Sequence, residues 1–212
     1  MPIILALMMN ELHNSFMKRF SQTVTYAPHF ISTVVLVSMM VAFLSPRDGL
    51  VNMIIVRLGG EPIYFMIEKS WFRPLFVASG VWQNMGWESI IYLAALAGVD
   101  PELYEAALMD GITKFKKIIY IDLPYLLPTA IILLIMNIGR IMTVGFEKTF
   151  LMQTDLTLAV SEVIQTYVYK RGLIDANFSF AAAVGLFNSV INCSLLIVVN
   201  RISRRVSKVS LW

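Results

Sequence analysis

The sequence predicts an all-α protein, a polytopic bundle of membrane helices, and three observations predict it. Hydrophobic residues make up 58% of the chain and charged ones 15%, and mean hydropathy is +0.71, values foreign to a soluble domain. Apolar stretches recur that approach the roughly 20 residues a helix needs to cross a bilayer. The 17 basic residues fall between those stretches and form no single patch. A net charge of +3 therefore speaks for membrane topology and against nucleic-acid binding.

Residues 2–9 are apolar over too short a distance to cross and read as the end of a span; they lack the basic start and cleavage site of a signal peptide. Residues 10–22 form a polar connection. Its Lys18 and Arg19, against the single acid Glu11, mark the cytoplasmic side. Residues 23–44 are long enough to span, although Pro28 and His29 disturb the first turns, with His29 in a structural or interfacial place. Pro46, Asp48-Gly49, Gly59-Gly60 and Pro62 punctuate residues 45–73, where the run 50–58 suits a short helix on the outer surface. The next full span is 74–97, followed by a cytoplasmic elbow over 98–124. Residues 125–145 return outward, 146–177 lie outside and 178–199 come back in. On this topology the inner side holds nine Lys and Arg against six acids, while the outer side holds seven of each. That positive-inside bias puts the elbow and the C-terminus in the cytoplasm.

The elbow is the one long interior segment that is neither lipid-like nor merely connecting. Asp100 is a helix cap, Pro101 suits the first helical position and Glu102 places an acid against the positive end of the dipole. Gly111 stops that helix, and Thr113 caps a second short one before Leu123-Pro124. On the first helix Leu103, Ala106, Ala107 and Asp110 occupy neighbouring positions, and the two alanines give a low-relief patch beside Glu105.

Chemistry of other kinds is missing from the sequence. No Gly-Lys-Ser/Thr phosphate loop occurs, so the chain does not bind ATP in that manner. His13 and His29 lack metal-ligand spacing, no Ser-nucleophile signature is present, and the lone Cys193 lies within an apolar run. The remaining candidates are polar residues inside spans, which face a bundle interior or a wet cavity because lipid burial costs them free energy. Trp82, Gln83, Asn84, Trp87 and Glu88 cluster in the 74–97 span. Asn137 and Arg140 are three apart in the 125–145 span, and Gly185, Asn188, Ser189 and Asn192 share a stripe in the last. Small and amide residues also serve as glue between helices. A membrane enzyme, or an assembly subunit with no path of its own, stays open at this point.

Glu105-Ala106-Ala107, three residues, Gly111, nine residues, then Ile121-x-Leu123-Pro124 resembles the EAA motif of the membrane subunits of binding-protein-dependent ABC importers. The resemblance runs through nearly the whole chain and is closest to the subfamily importing oligosaccharides and other complex carbohydrates. It is carried also by the segments 27–32, 87–96, 100–107, 183–190 and 200–203. Ile112 departs from the alanine usual after the Asp-Gly pair. The resemblance implies the type I importer permease fold, with residues 1–212 as one transmembrane domain of four complete spans and one partial span. Six spans are usual in the family, so the chain is expected to be the later part of a longer subunit. Glu105, Ala106, Ala107, Asp110, Gly111, Leu123 and Pro124 would couple to ATPase subunits. The implied partners are a second permease, two cytoplasmic ATPases that bind the ATP, an extracytoplasmic solute-binding protein, a carbohydrate and the lipid bilayer. The implied location is the bacterial cytoplasmic membrane, with no cofactor held by this chain. Trp82 and Trp87 would offer flat faces to sugar rings, and Gln83, Asn84, Asn137, Asn188 and Asn192 donors and acceptors.

Overall fold

A computed structural model describes residues 1–143, 145–206 and 210–211. Val144, inside the span read over 125–145, and Lys208, counted on the inner side, lie outside the described residues. Every regular element among the described residues is helical.

Helix α1 (Pro2–Asn10) has a proline in its first turn, and Asn14 caps α2 (Ser15–Tyr26) by accepting from the backbone N–H groups of Phe16 and Met17. The chain then tightens into a 3-10 turn over Ala27–Phe30 and restarts as α3 (Thr33–Phe43), with Ser32 accepting from the N–H of Val35. The stretch read as one span over 23–44 is thus broken. Pro28 has no N–H to continue the ladder, and Ser32 supplies a fresh start three residues before Val35.

The short helix at 50–58 is present as α4 (Leu50–Arg57). Asn52, buried on it, donates to the carbonyls of Leu44, Ser45 and Ile63 and accepts from the N–H of Ile63, closing the surrounding loops on one amide. Helix α5 (Lys69–Leu96) carries Pro74 inside it. The elbow follows as α6 (Pro101–Met109) and α7 (Lys114–Lys117). From α7 the chain passes through a π turn, Ile118–Asp122, directly into α8 (Leu123–Ile138). The later segment holds three short helices, α9 (Phe146–Met152), α10 (Leu158–Ser161) and α11 (Ile164–Tyr169), then a second π turn at Lys170–Ile174 and the long α12 (Phe178–Val206).

Two of the described helices, Lys114–Ile138 and Phe178–Arg205, are long and apolar enough to cross a membrane, and a third counts if Ser15–Phe30 and Thr33–Phe43 form one broken span. That falls short of the four complete spans read from the sequence. Helix α5 has the length, 28 residues, but Gln83, Asn84, Trp87 and Glu88 in its centre dilute its apolar character.

The chain divides into two compact units, each with its own core. One comprises Met1–His29, Asn84–Met142 and Val190–Trp212. Its core packs Ala6, Tyr92, Leu96, Val99 and Leu126, with Tyr104 and Ile121 against them. The other, Phe30–Gln83 and Thr143–Ser189, packs Leu36, Val37, Met40, Phe72 and Met152. The elbow therefore belongs wholly to the first unit.

Candidate functional site

The elbow is built by local rules. Asp100 accepts from the N–H of Glu102 at 3.0 Å, and Pro101 takes the first helical position. At the other end of α6 the N–H of Ile112 reaches the carbonyl of Ala107 and that of Gly111 reaches Leu108, each at 3.1 Å. This paired closure needs a left-handed residue after the cap, and Gly111 supplies it with φ +68°. Thr113 then caps α7 through the N–H of Lys116.

The second limb differs from the short separate helix read from the sequence: Lys114–Ile138 is continuous over 25 residues. Pro124 would clash in a regular helix with the carbonyl four residues earlier. The π turn just before it widens the ladder, and the N–H of Leu123 reaches back to Ile118, so the helix passes through the proline unbroken.

Outward the elbow exposes large apolar side chains, Met109 at 89%, Leu108 at 74% and Phe115 at 72%. Glu105, Ala106, Asp110, Gly111, Leu123 and Pro124 are exposed as well, whereas Ala107 turns inward and is buried. The two alanines thus face different surroundings.

Inward the elbow meets both polar and apolar groups. A groove of about 340 Å³ is lined by Asn10, Glu11, His13, Tyr104, Ala107 and Lys117 among others. Glu11 and Lys117 form an ion pair in it, and the Lys117 amine lies 5.2 Å from the centre of the Tyr104 ring. The Tyr104 hydroxyl donates to Asp122 Oδ1 at 2.7 Å. Asp122 is 0% exposed, and its Oδ2 has no partner. Burial, and then the bond and charge of Asp122, push the Tyr104 phenol above its ordinary range. Nearby, Tyr125 donates to the carbonyl of Gly98 at 2.7 Å.

A second group lies on α5. Gly86 lets the backbone of α2 approach closely: a β-carbon built there would lie 2.0 Å from the Thr25 carbonyl oxygen. That approach brings in His29, whose ring stacks on Trp87 with centroids 4.6 Å apart and planes 5° from parallel. Its Nδ1 lies 3.1 Å from Asn84 Oδ1, the geometry of a donated bond. In the other unit Gln83 donates to the carbonyl of Ile31 at 2.8 Å, and Trp82 lines an apolar cavity of about 360 Å³ with Leu36, Met40 and Phe43. Glu88, Asn137 and Arg140 are exposed, Arg140 just beyond the end of α8.

On α12, Asn188 and Asn192 are half-buried, and each has a buried Oδ1 with no hydrogen-bond partner among the described residues. Ser189 returns its hydroxyl to the carbonyl of Gly185 at 2.9 Å. Asn188 also borders a cavity of about 390 Å³ with Phe146, Gln165 and Tyr169.

Sequence reasoning passed over Tyr104, Asp122 and the Glu11–Lys117 pair. Their partners stand 18 and 106 positions apart, beyond any local spacing rule. An acid between Ile121 and Leu123 in an apolar run was the available signal. His29 had a signal too, its place beside Pro28 in a membrane-length stretch.

The family described as "Binding-protein-dependent transport system inner membrane component" matches residues 2–208. The polygalacturonan/rhamnogalacturonan transport system permease protein YteP of Bacillus subtilis (strain 168) is 41% identical over 204 residues, covering 96% of this chain and 64% of the relative. Protein LplB of the same organism is 41% identical over 211 residues, covering 100% of this chain and 66% of the relative. The chain therefore spans about two thirds of the length of these relatives, 64% and 66%. Among solved structures, a chain of a bacterial alginate ABC transporter, in complex with alginate pentasaccharide-bound periplasmic protein, superposes with a TM-score of 0.96 at 40% identity. That match covers 99% of this chain and 73% of that one.

Proposed function

The chain belongs to the family of binding-protein-dependent transport system inner membrane components, and on that premise we propose that it is a permease subunit of an ATP-driven importer of oligosaccharides or other complex carbohydrates. The observation that carries this reading is the elbow: a capped, glycine-terminated helix presents an exposed apolar surface, and its second limb runs on into a membrane-length helix. Such a surface suits a cleft on a cytoplasmic ATPase. Closure of two ATPase subunits would move α6 and switch access between the two sides of the membrane, a two-state cycle.

The coupling role falls to Glu105, Ala106, Asp110 and Gly111 at the surface, to Ala107 beneath them, and to Leu123 and Pro124 at the continuing helix. The solute path is assigned to side chains that the fold leaves exposed or unpaired. These are Trp82 and Glu88 on α5, Asn137 and Arg140 around the end of α8, and Asn188 and Asn192 on α12. Gln83, Asn84 and Trp87 have partners within the chain and hold that path in shape. Residues 1–212 form one transmembrane domain with the C-terminus in the cytoplasm. A second permease and an extracytoplasmic binding protein complete the assembly, the latter in keeping with the periplasmic protein bound to the alginate transporter.

The reading is tested by purifying the complex from its own operating membrane and reconstituting it in liposomes with the binding protein. Uptake of radiolabelled oligogalacturonides and neutral arabino-oligosaccharides is then followed with and without internal ATP. ATP-dependent uptake of one of these classes is expected. A complex that binds and hydrolyses ATP but moves no saccharide would overturn the proposal.

A further inference from the structure

We propose that the hydrogen bond from Tyr104 to Asp122 is the tie through which movement of α6 reaches the helix Lys114–Ile138, making both residues positioning residues for transport; this rests on the coupling role proposed above. Backbone joins α6 to α7 only through the turn at its C-terminal end, closed by Gly111. One attachment makes a hinge. Tyr104, midway along α6, supplies a second by donating to Asp122, the last residue of the π turn. Two attachments, the turn itself and this bond, make α6 and the start of α8 one body.

The chemistry of the tie gives it directional strength. Asp122 is fully buried, so its carboxylate has lost water, and a bond of 2.7 Å to Oδ1 replaces part of that solvation. Among the described residues Oδ2 has no partner, which leaves the hydroxyl of Tyr104 as the group on which the acid depends. Moving α6 away from the helix behind it would strand a buried acid, so the two elements resist separation and move together. From the other side the Glu11–Lys117 pair sets the Lys117 amine over the Tyr104 ring, limiting how far the ring can swing. The acid sits at the π turn, where the helical ladder is already widened and small rotations of the helix above are least costly.

A test uses the complete transporter in liposomes, with its ATPases, second permease and binding protein. It measures solute carried per ATP hydrolysed, normalised to assembled complex. Tyr104→Phe removes one oxygen and should lower that ratio about tenfold, the lower end of what losing a bond to a charged group does to an equilibrium, with the complex still assembled. Asp122→Asn keeps a carbonyl acceptor and should stay within about twofold of the original. The pair Tyr104→Phe with Asp122→Leu should restore any lost yield of complex, yet leave the ratio low, because apolar packing resists sliding less than a directed bond does.

The proposal is overturned if Tyr104→Phe couples normally, or if it lowers yield while the complexes that form carry solute at the usual ratio. It also fails if the double variant recovers the ratio, since packing would then suffice. A parent complex that hydrolyses ATP without carrying any solute would instead bring down the importer reading, and the tie with it.

Discussion

Helices α5 and α12 are close in length, 28 and 29 residues, and each carries amides in its central part, yet they treat those amides in opposite ways. On α5, Gln83 is bonded to the backbone at Ile31, Asn84 to His29, and one face of Trp87 is covered by the same imidazole. On α12, the side-chain oxygens of Asn188 and Asn192, four residues apart on one face, are buried with no hydrogen-bond partner among the described residues. An unsatisfied buried acceptor costs about 1–3 kcal/mol, so two on one stripe suit the solute contact proposed above. The amides of these two helices thus divide by whether the described residues satisfy them, and on the reading proposed above Gln83 and Asn84 hold the fold while Asn188 and Asn192 face the solute.

The largest expected effect comes from the close approach that makes the α5 arrangement possible. A β-carbon at Gly86 would stand 2.0 Å from the Thr25 carbonyl, so Gly86→Val should destabilise the chain by about 3 kcal/mol, the upper end for overpacking, and size-exclusion chromatography should show little intact complex. On α12 a β-carbon at Gly185 meets nothing within 4 Å. Gly185→Ala should therefore leave the melting temperature unchanged or raise it by the roughly 1 kcal/mol that alanine gains over glycine in a helix. Equal damage at both glycines would break the comparison.

A middle-sized effect is expected at His29. His29→Ala removes the ring that covers Trp87 and the bond to Asn84, and should lower stability by about 1–2 kcal/mol, the sum of a stacking contact and a hydrogen bond. Thermal unfolding of the detergent-solubilised complex checks this. Transport by each surviving complex should change little, since the lost contacts serve the fold.

The smallest effect is a pH dependence in the other unit. The Lys148 amine donates to the Phe76 carbonyl at 2.8 Å and lies 4.7 Å from that ring, and burial pushes it down from 10.5 to about 8. The folded chain then disfavours a proton that the unfolded chain still holds. Its cost is fully present below about pH 8 and relaxes as pH climbs toward 10.5. The melting temperature should rise slightly between about pH 8 and pH 9.5, and Lys148→Met should abolish that rise.

Parts of this molecule are legible in the sequence, and physics says which. Asp100, Gly111 and Thr113 act on backbone groups within five residues of themselves, so helix, turn and cap at the elbow follow from local chemistry. The break at residues 30–32 is less legible, because apolar length averages over a window and does not register that Pro28 and Ser32 end one helix and begin another. The continuous helix through Pro124 escaped for a related reason: a π turn stores its accommodation upstream of the proline, and no single residue type announces it. The pairings that organise the polar groups, His29 with Trp87 and Tyr104 with Asp122, join positions 58 and 18 apart. Residue types mark such groups as candidates, but only the packed chain decides which of them are already satisfied.

That division is tested most directly by uptake per assembled complex in liposomes, measured for Asn84→Leu and for Asn188→Leu combined with Asn192→Leu. Asn84→Leu should reduce the yield of complex while each surviving complex transports normally. The α12 pair should leave yield unchanged or higher, because two unsatisfied acceptors are removed, and lower uptake per complex about tenfold, as expected from lost polar contacts to a solute. Full uptake by the α12 variant, or loss of uptake per complex in Asn84→Leu at normal yield, would contradict it.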